Sequence, residues 1–295
     1  MENKAKQKIQ ALTAARIEVA GSQNKYAAQI DVAPATLTNL MRNNWELISE
    51  DMWQKLADAC GYKEDAWVIA DTRNVRDIKN LLHEAKTFSE VYAWISAEGS
   101  SKTVTCLEFK QQFSEVYLLR CEEHWTKKEF LQKLYRQMGK EPEGMTASAL
   151  MDAIEEQALK ATNPLIIMDE LDKVNDGVLY FFISLYNRLQ GKCGVFMCAT
   201  SYLKKRIVDG IKRKKKGYAE FYSRLGRKFI EGKDITGTDI NTICIANGLT
   251  DSKLIEEVIH GCEMDMRRVE RMVKARLRKQ GKGAKLNNDT QNKAA

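Results

Sequence analysis

A lysine beside a hydroxyl residue, Lys102-Thr103, and a pair of adjacent carboxylates far downstream, Asp169-Glu170, are the residues of this chain whose types and setting suit phosphoryl chemistry. Lys102 and Thr103 close the stretch Ser96-Ala97-Glu98-Gly99-Ser100-Ser101-Lys102-Thr103. This stretch sits where a phosphate-binding loop of the form G-x-x-x-x-G-K-[ST] would lie, with backbone N–H groups around the phosphates, lysine on the β/γ oxygens and hydroxyl on Mg²⁺. Gly99, Ser100 and Ser101 would supply the cradle, but Ser96 and Ser101 stand where the motif has its two defining glycines, which puts affinity and turnover in question. Asp169-Glu170 ends the apolar run Leu165-Ile166-Ile167-Met168. At the carboxyl end of a parallel strand, Asp169 would hold Mg²⁺ with Thr103 and Glu170 would polarise an attacking water.

These side chains converge only if the elements between them form one sheet. From residue 90 onward short apolar runs alternate with amphipathic stretches: strands are expected at 91–95, 116–121, 165–168 and 195–199, with a short one at 228–231. Helices are expected at 102–113, from the capping box Thr126/Glu129 to Met138, at 146–161 and at 174–189. This alternation predicts an α/β fold with a parallel sheet. Before it, residues 1–70 read as a small all-α domain. Helix 6–20 is broken at Gly21-Ser22, and a short helix at 24–30 and the turn Asp31-Val32 lead into a helix entered at Ala33-Pro34. The last helix, 51–60, is closed by Gly61. Residues 71–89 are expected as a helical linker, 90–235 as the nucleotide-binding core, 236–279 as a helical lid and 280–295 as a disordered tail.

With both phosphate elements in place, the stretch from about Phe88 to Lys279 resembles the AAA+ ATPases. The resemblance implies ATP and Mg²⁺ as cofactors and ATP hydrolysis as the activity. It also implies a polar sensor at the end of the strand between the two motif strands, Thr200 with Ser201 as the alternative. An arginine finger acting on a neighbouring subunit's nucleotide would be Arg224, in Phe221-Tyr222-Ser223-Arg224-Leu225, or Arg227. A lid arginine sensing the γ-phosphate would be Arg267.

Charge suggests a partner. The 295 residues carry a net +7, yet 203–228 alone is +9 and 267–286 is +8, leaving an acidic remainder at -10. Lys204, Lys205, Arg206, Lys212, Arg213, Lys214, Lys215 and Lys216 form an expected loop suited to nonspecific, salt-dependent phosphate contact with double-stranded DNA. The N-terminal unit resembles phage-repressor helix-turn-helix domains, which would turn Thr36, Thr38, Asn39 and Arg42 of its second helix toward DNA. A helix-turn-helix joined to one AAA+ module resembles the transposition ATPases typified by phage Mu transposition protein B. That resemblance implies ATP-dependent helical self-assembly into filaments on target DNA and activation of a transposase partner. A helicase-loader ATPase and a non-hydrolysing helix-turn-helix regulator are the alternatives. Hydrophobic residues at 44%, charged residues at 29%, a mean hydropathy of -0.45 and the lack of a long apolar run exclude a disordered or membrane-embedded chain. Seven cysteines without a C-x-x-C pair fit reduced thiols and a cytoplasmic setting.

Overall fold

The computed structural model describes Met1, residues 3–62 and residues 67–291, which form two compact units: 1–66 with 107–116, and 67–106 with 117–295.

In the first unit, α1 (Asn3–Ala20), α2 (Gln23–Gln29), α3 (Pro34–Met41) and α4 (Glu50–Cys60) enclose a core of Ile9, Tyr26, Leu37, Leu40, Trp53 and Leu56. Local chemistry sets each boundary. Ser22 caps α2 by accepting from the Lys25 N–H, and Pro34 opens α3 after an extended Ala33. Gly61, left-handed at φ 77°, ends α4. Residues 30–33 join α2 to α3.

The second unit is built on a five-stranded sheet of order β2-β3-β4-β1-β5, from β1 (Val91–Ile95), β2 (Val116–Arg120), β3 (Leu165–Asp169), β4 (Gly194–Ala199) and β5 (Ile230–Glu231). β4 runs parallel to β1 and β3, and β5 parallel to β1. β3 and β4 are buried along their whole length, which accounts for their unbroken apolar runs. The connecting helices are α6 (Lys102–Gln112), α7 (Lys127–Gln137), α8 (Ala147–Lys160) and α9 (Asp176–Leu189), after the helix α5 (Arg73–Phe88) that precedes β1. The expected capping box is formed: Thr126 accepts from the Glu129 N–H, and Glu129 accepts from the Thr126 N–H.

Three expectations are corrected by the packing. The helix expected as a linker, α5, buries Val75, Ile78, Leu82 and Ala85, and lies so close to β4 that a Cβ on Gly194 would meet the Ala85 carbonyl oxygen at 2.0 Å. These four residues form one helical stripe, so the face belongs on the sheet. Residues 204–212, expected in a loop, lie in a helix, α10 (Ser201–Lys212), because Leu203, Ile207 and Gly210 are buried at helical spacing; only 213–217 form a turn before α11 (Tyr218–Arg224). The segment expected as the lid forms α12 (Gly237–Ala246), α13 (Ser252–Gly261) and α14 (Met266–Gln291), and the last helix continues past 279, where a disordered tail was expected. Residues 292–295 lie outside the described residues. The lid core joins Ile240, Ile243, Ile255, Val258, Val269 and Val273 to Ala70.

Candidate nucleotide site

The loop between β1 and α6 curls around its own lysine. Lys102 Nζ donates to the carbonyls of Ser96 (2.8 Å) and Ala97 (2.7 Å), and burial pushes its pKa down. The first glycine replacement is accommodated without left-handed geometry. Ser96 is buried, accepts from the Trp94 indole N–H at 2.9 Å and lies 2.8 Å from the Ser100 hydroxyl. The second is strained: Ser101 stands at φ 68°, the left-handed region that costs a non-glycine residue about 1–2 kcal/mol. Gly99 stands at φ 70°, and a Cβ there would press on the Asp265 carboxylate at 2.8 Å.

Across the sheet's carboxyl edge Thr103 Oγ donates to Asp169 Oδ2 at 2.6 Å. Asp169 is 1% exposed, and burial pushes its carboxyl up, against the bond from Thr103 that pulls it down. Two hard oxygens side by side fit Mg²⁺, which usually takes one or two protein ligands and completes its shell with phosphate and water. Among the described residues no cluster of three or more metal-binding side chains exists, so a protein-only metal cage is not what these residues offer.

Glu170 follows at φ 57°, half-buried and bound by two cations, Lys173 at 2.8 Å and Arg120 at 3.2 Å. Partial burial pushes its carboxyl up, but Lys173 and Arg120 outweigh it and hold the carboxyl below its ordinary value. In this state Glu170 is an ion-pair partner, not a free base.

Thr200 caps α10 and donates to Asp172 Oδ2 at 3.0 Å, while Ser201 points to solvent. Asp265 accepts from the Arg267 N–H at 2.7 Å, and the Met266 N–H donates to the Gly99 carbonyl at 3.1 Å, so the lid helix starts directly on the phosphate loop. The approach turn holds Glu263 and Met264 at φ 51° and 57°, two consecutive left-handed residues that store strain at the lid's edge.

A cavity of about 360 Å³ gathers these groups: Gly99, Ser100, Ser101, Lys102, Thr103, Asp169, Glu170, Thr200 and Arg267 all line it. Asp172, Lys173 and Trp67 line it as well, and sequence reasoning missed all three. A third carboxylate after Asp169-Glu170 was a visible signal for Asp172; Trp67 carries none. Arg224 does not line this cavity. It donates to Asn187 (2.9 Å) and lies beside Glu220 and Tyr186, in a separate cleft at the amino-terminal end of β1. Arg227 is exposed at φ 56°.

The eight basic residues expected to contact DNA divide into two sets. Arg206 is tied to the Val174 carbonyl (2.7 Å) and to Asp176, with a side chain only 14% exposed, and is a structural residue; Lys204 pairs with Glu231. Lys205, Lys212, Arg213, Lys214, Lys215 and Lys216 remain exposed. In the N-terminal unit Arg42 is exposed, Thr36 and Asn39 are half-buried, and Thr38 accepts from Gln23 Nε2 at 2.7 Å.

Residues 90–207 match the family model described as AAA domain. No curated protein sequence matches the chain. Among solved structures the chain is similar to Drosophila ORC bound to DNA (12% identity, TM-score 0.42, covering 69% of this chain and 54% of that one). It is also similar to Hsp104 with ATPγS and FITC casein in a closed state (12%, 0.45, 85% and 55%). A third similar structure is NtrX from Brucella abortus in complex with ATP (10%, 0.46, 81% and 58%). The matches thus span little more than half of each of those chains. The stretch similar to the AAA domain model holds β1 to β4 of the parallel sheet and the loop between β1 and α6.

Proposed function

We propose that this chain is an ATP-hydrolysing, DNA-binding switch of transposition. It binds ATP with Mg²⁺, assembles into a helical oligomer on double-stranded target DNA with little sequence preference, and presents that DNA to a transposase. The observation that carries the nucleotide reading is the convergence of Lys102, Thr103, Asp169, Thr200 and Arg267 on one cavity. Lys102 and the loop amides would bind the β/γ-phosphates, and Thr103 with Asp169 would hold Mg²⁺, which when bound neutralises charge on the transferring phosphoryl group. Glu170 accepts the proton of the attacking water once it leaves Arg120 and Lys173. Arg224, remote from its own chain's cavity, acts on a neighbour's nucleotide. The exposed cations of α10 and the turn after it support DNA contact. Because Thr200 lines the cavity and caps α10, the nucleotide site and that helix adjoin. The transposase and filament parts rest on the resemblance of the domain plan.

A second reading, nucleotide binding without turnover, is favoured by the ion-paired Glu170 and the strained Ser101. Two measurements test these readings. ATP-dependent filaments on duplex DNA in electron micrographs support assembly; closed rings or no assembly overturn it. DNA-stimulated ATPase activity that drops about 100-fold or more in Glu170→Gln supports hydrolysis, whereas no turnover in either protein leaves the binding-only reading.

A further inference from the structure

Along the outer side of α10 a cleft of about 170 Å³ is lined by Tyr202, Lys205, Asp209, Arg213, Lys215 and Tyr218. Resting on the DNA-binding reading proposed above, we infer that this cleft seats an unpaired base of a DNA strand, stacked on the Tyr202 ring, with the flanking phosphates held by Lys205, Arg213 and Lys215.

Tyr218 and Tyr202 both line the cleft, and they differ. Tyr218 is buried, donates its hydroxyl to Asp176 Oδ1 at 2.8 Å and packs so closely on α10 that a Cβ at Gly210 would meet its ring at 2.6 Å. Tyr202 is 61% exposed, and its side chain has no hydrogen-bond or aromatic partner among the described residues. The fold makes no use of this ring, because α10 turns Leu203, Ile207 and Gly210 inward instead.

The opposite wall is a fixed turn. The Lys214 N–H donates to the Ile211 carbonyl and the Lys215 N–H to the Gly210 carbonyl, both at 2.9 Å, with Lys214 left-handed at φ 53°. A helix that ends in this way usually takes glycine at the left-handed position. Lysine there keeps a cation against backbone strain. The turn returns Lys215 to the side of α10, its Nζ 6.0 Å from the Tyr218 ring centroid. Lys205 and Arg213 are exposed, with no ion-pair partner among the described residues. Asp209 adds a carboxylate to the lining, but the exposed Lys212, Lys214 and Lys216 carry the positive charge on past the cleft. Cations that run on beyond one small anion suit a repeating polyanion, and an exposed ring among them suits a base, since every base has a π-face. In a paired duplex both faces are covered by neighbouring pairs, so the ring engages a base only where the stack opens.

Fluorescence anisotropy of the full chain with ATP and Mg²⁺, titrated against a single strand and against the blunt duplex of the same sequence, tests the inference. Tyr202→Ala is expected to weaken single-strand binding about tenfold and duplex binding less than about threefold, and Tyr202→Phe to bind both as wild type does. Replacing Lys205 and Arg213 by Ala should weaken both and lower both salt slopes. In the wild-type protein, irradiation of a bound single strand carrying 5-iodouracil should cross-link it to Tyr202, located by peptide mass mapping, so the result does not depend on a variant's folding. A folded Tyr202→Ala protein that binds the single strand as tightly as wild type overturns the inference. So do equal losses on strand and duplex, or cross-links found only at other residues. Any of these with salt-dependent duplex binding intact leaves the DNA-binding reading standing; failure to bind either form removes that reading and this inference together.

Discussion

Asp169 shows how a single residue can serve a site at the fold's expense. Its carboxylate is buried beside Thr103, and burial raises its pKa above the unfolded value, so folding penalises the ionised form. A carboxyl with a raised native pKa adds stability below its unfolded pKa, and that contribution is lost as pH rises through the native one. At neutral pH the ionised Asp169 therefore weakens the ligand-free fold. Asp169→Asn keeps an oxygen for the Thr103 hydroxyl and removes the buried charge, but turns an NH2 toward the Glu170 N–H that donates to Asp169 Oδ1 at 3.0 Å. We expect its Tm relative to wild type to be highest at pH 7 and to fall toward pH 4, while Mg²⁺-dependent ATP affinity falls. Thermal melts across that pH range, paired with titrations, check both halves; a Tm difference that does not change with pH would contradict the account. Chemistry at this scale was largely legible: Lys102, Thr103, Asp169, Thr200 and Arg267 carry motif positions along the chain, and all five line one cavity. The ion pairs that hold Glu170 were not, because Arg120 comes from β2 and only strand order brings it to the end of β3.

Elements decide which charges are available to a partner. On α10, Arg206 faces inward to Val174 and Asp176, whereas Lys212 and the turn residues Arg213 and Lys214 face solvent. Arg206→Ala should lower the urea midpoint, because a half-buried carbonyl and a carboxylate lose their donor. Replacing Lys212 and Lys214 by Glu should leave that midpoint nearly unchanged, weaken duplex DNA binding across sequences and reduce the salt slope by about one per lost phosphate contact. Filter binding at several salt concentrations separates the two; equal loss of DNA affinity without loss of stability in Arg206→Ala would show that the inward assignment is wrong. The α5–β4 contact supplies a sharper test of packing. Gly194→Ala places a methyl against the Ala85 carbonyl, and the resulting displacement should cost about 3 kcal/mol or more, read from chemical denaturation. Near-neutrality there would mean that α5 is the free linker its polar composition suggests. Its apolar stripe was visible in the sequence; its destination was not, since amphipathicity says that a face is buried and leaves open against what.

At the scale of the whole molecule, the position of Arg224 bears on the proposed function. The guanidinium is bound to Asn187 and Glu220 in a cleft apart from the cavity of its own chain, so the proposed finger role requires a second copy. Arg224→Ala is expected to bind ATP with unchanged affinity and to lose most DNA-stimulated turnover, by roughly 10³-fold if it acts as arginine fingers do. Mixing it with Glu170→Gln, which retains the finger and lacks the base, should restore a fraction of activity that neither variant has alone. Absence of any restoration in mixed assemblies would argue that the two residues never meet across subunits.

The sequence by itself determined the α/β alternation and the capped helices, and marked the candidate phosphate-binding groups, because these depend on periodicity and on spacing over a few residues. It also concentrated positive charge in two segments of an otherwise acidic chain. Tertiary structure alone decided that Arg206 is internal, that Glu170 is held by two cations, that α5 covers the sheet, and that Trp67 closes the cavity with a lid formed about 170 residues later. The physical reason is the same each time: a side chain's partners across the sheet or under the lid come from distant sequence, and the charge or ring carries no mark of which neighbour folding will bring.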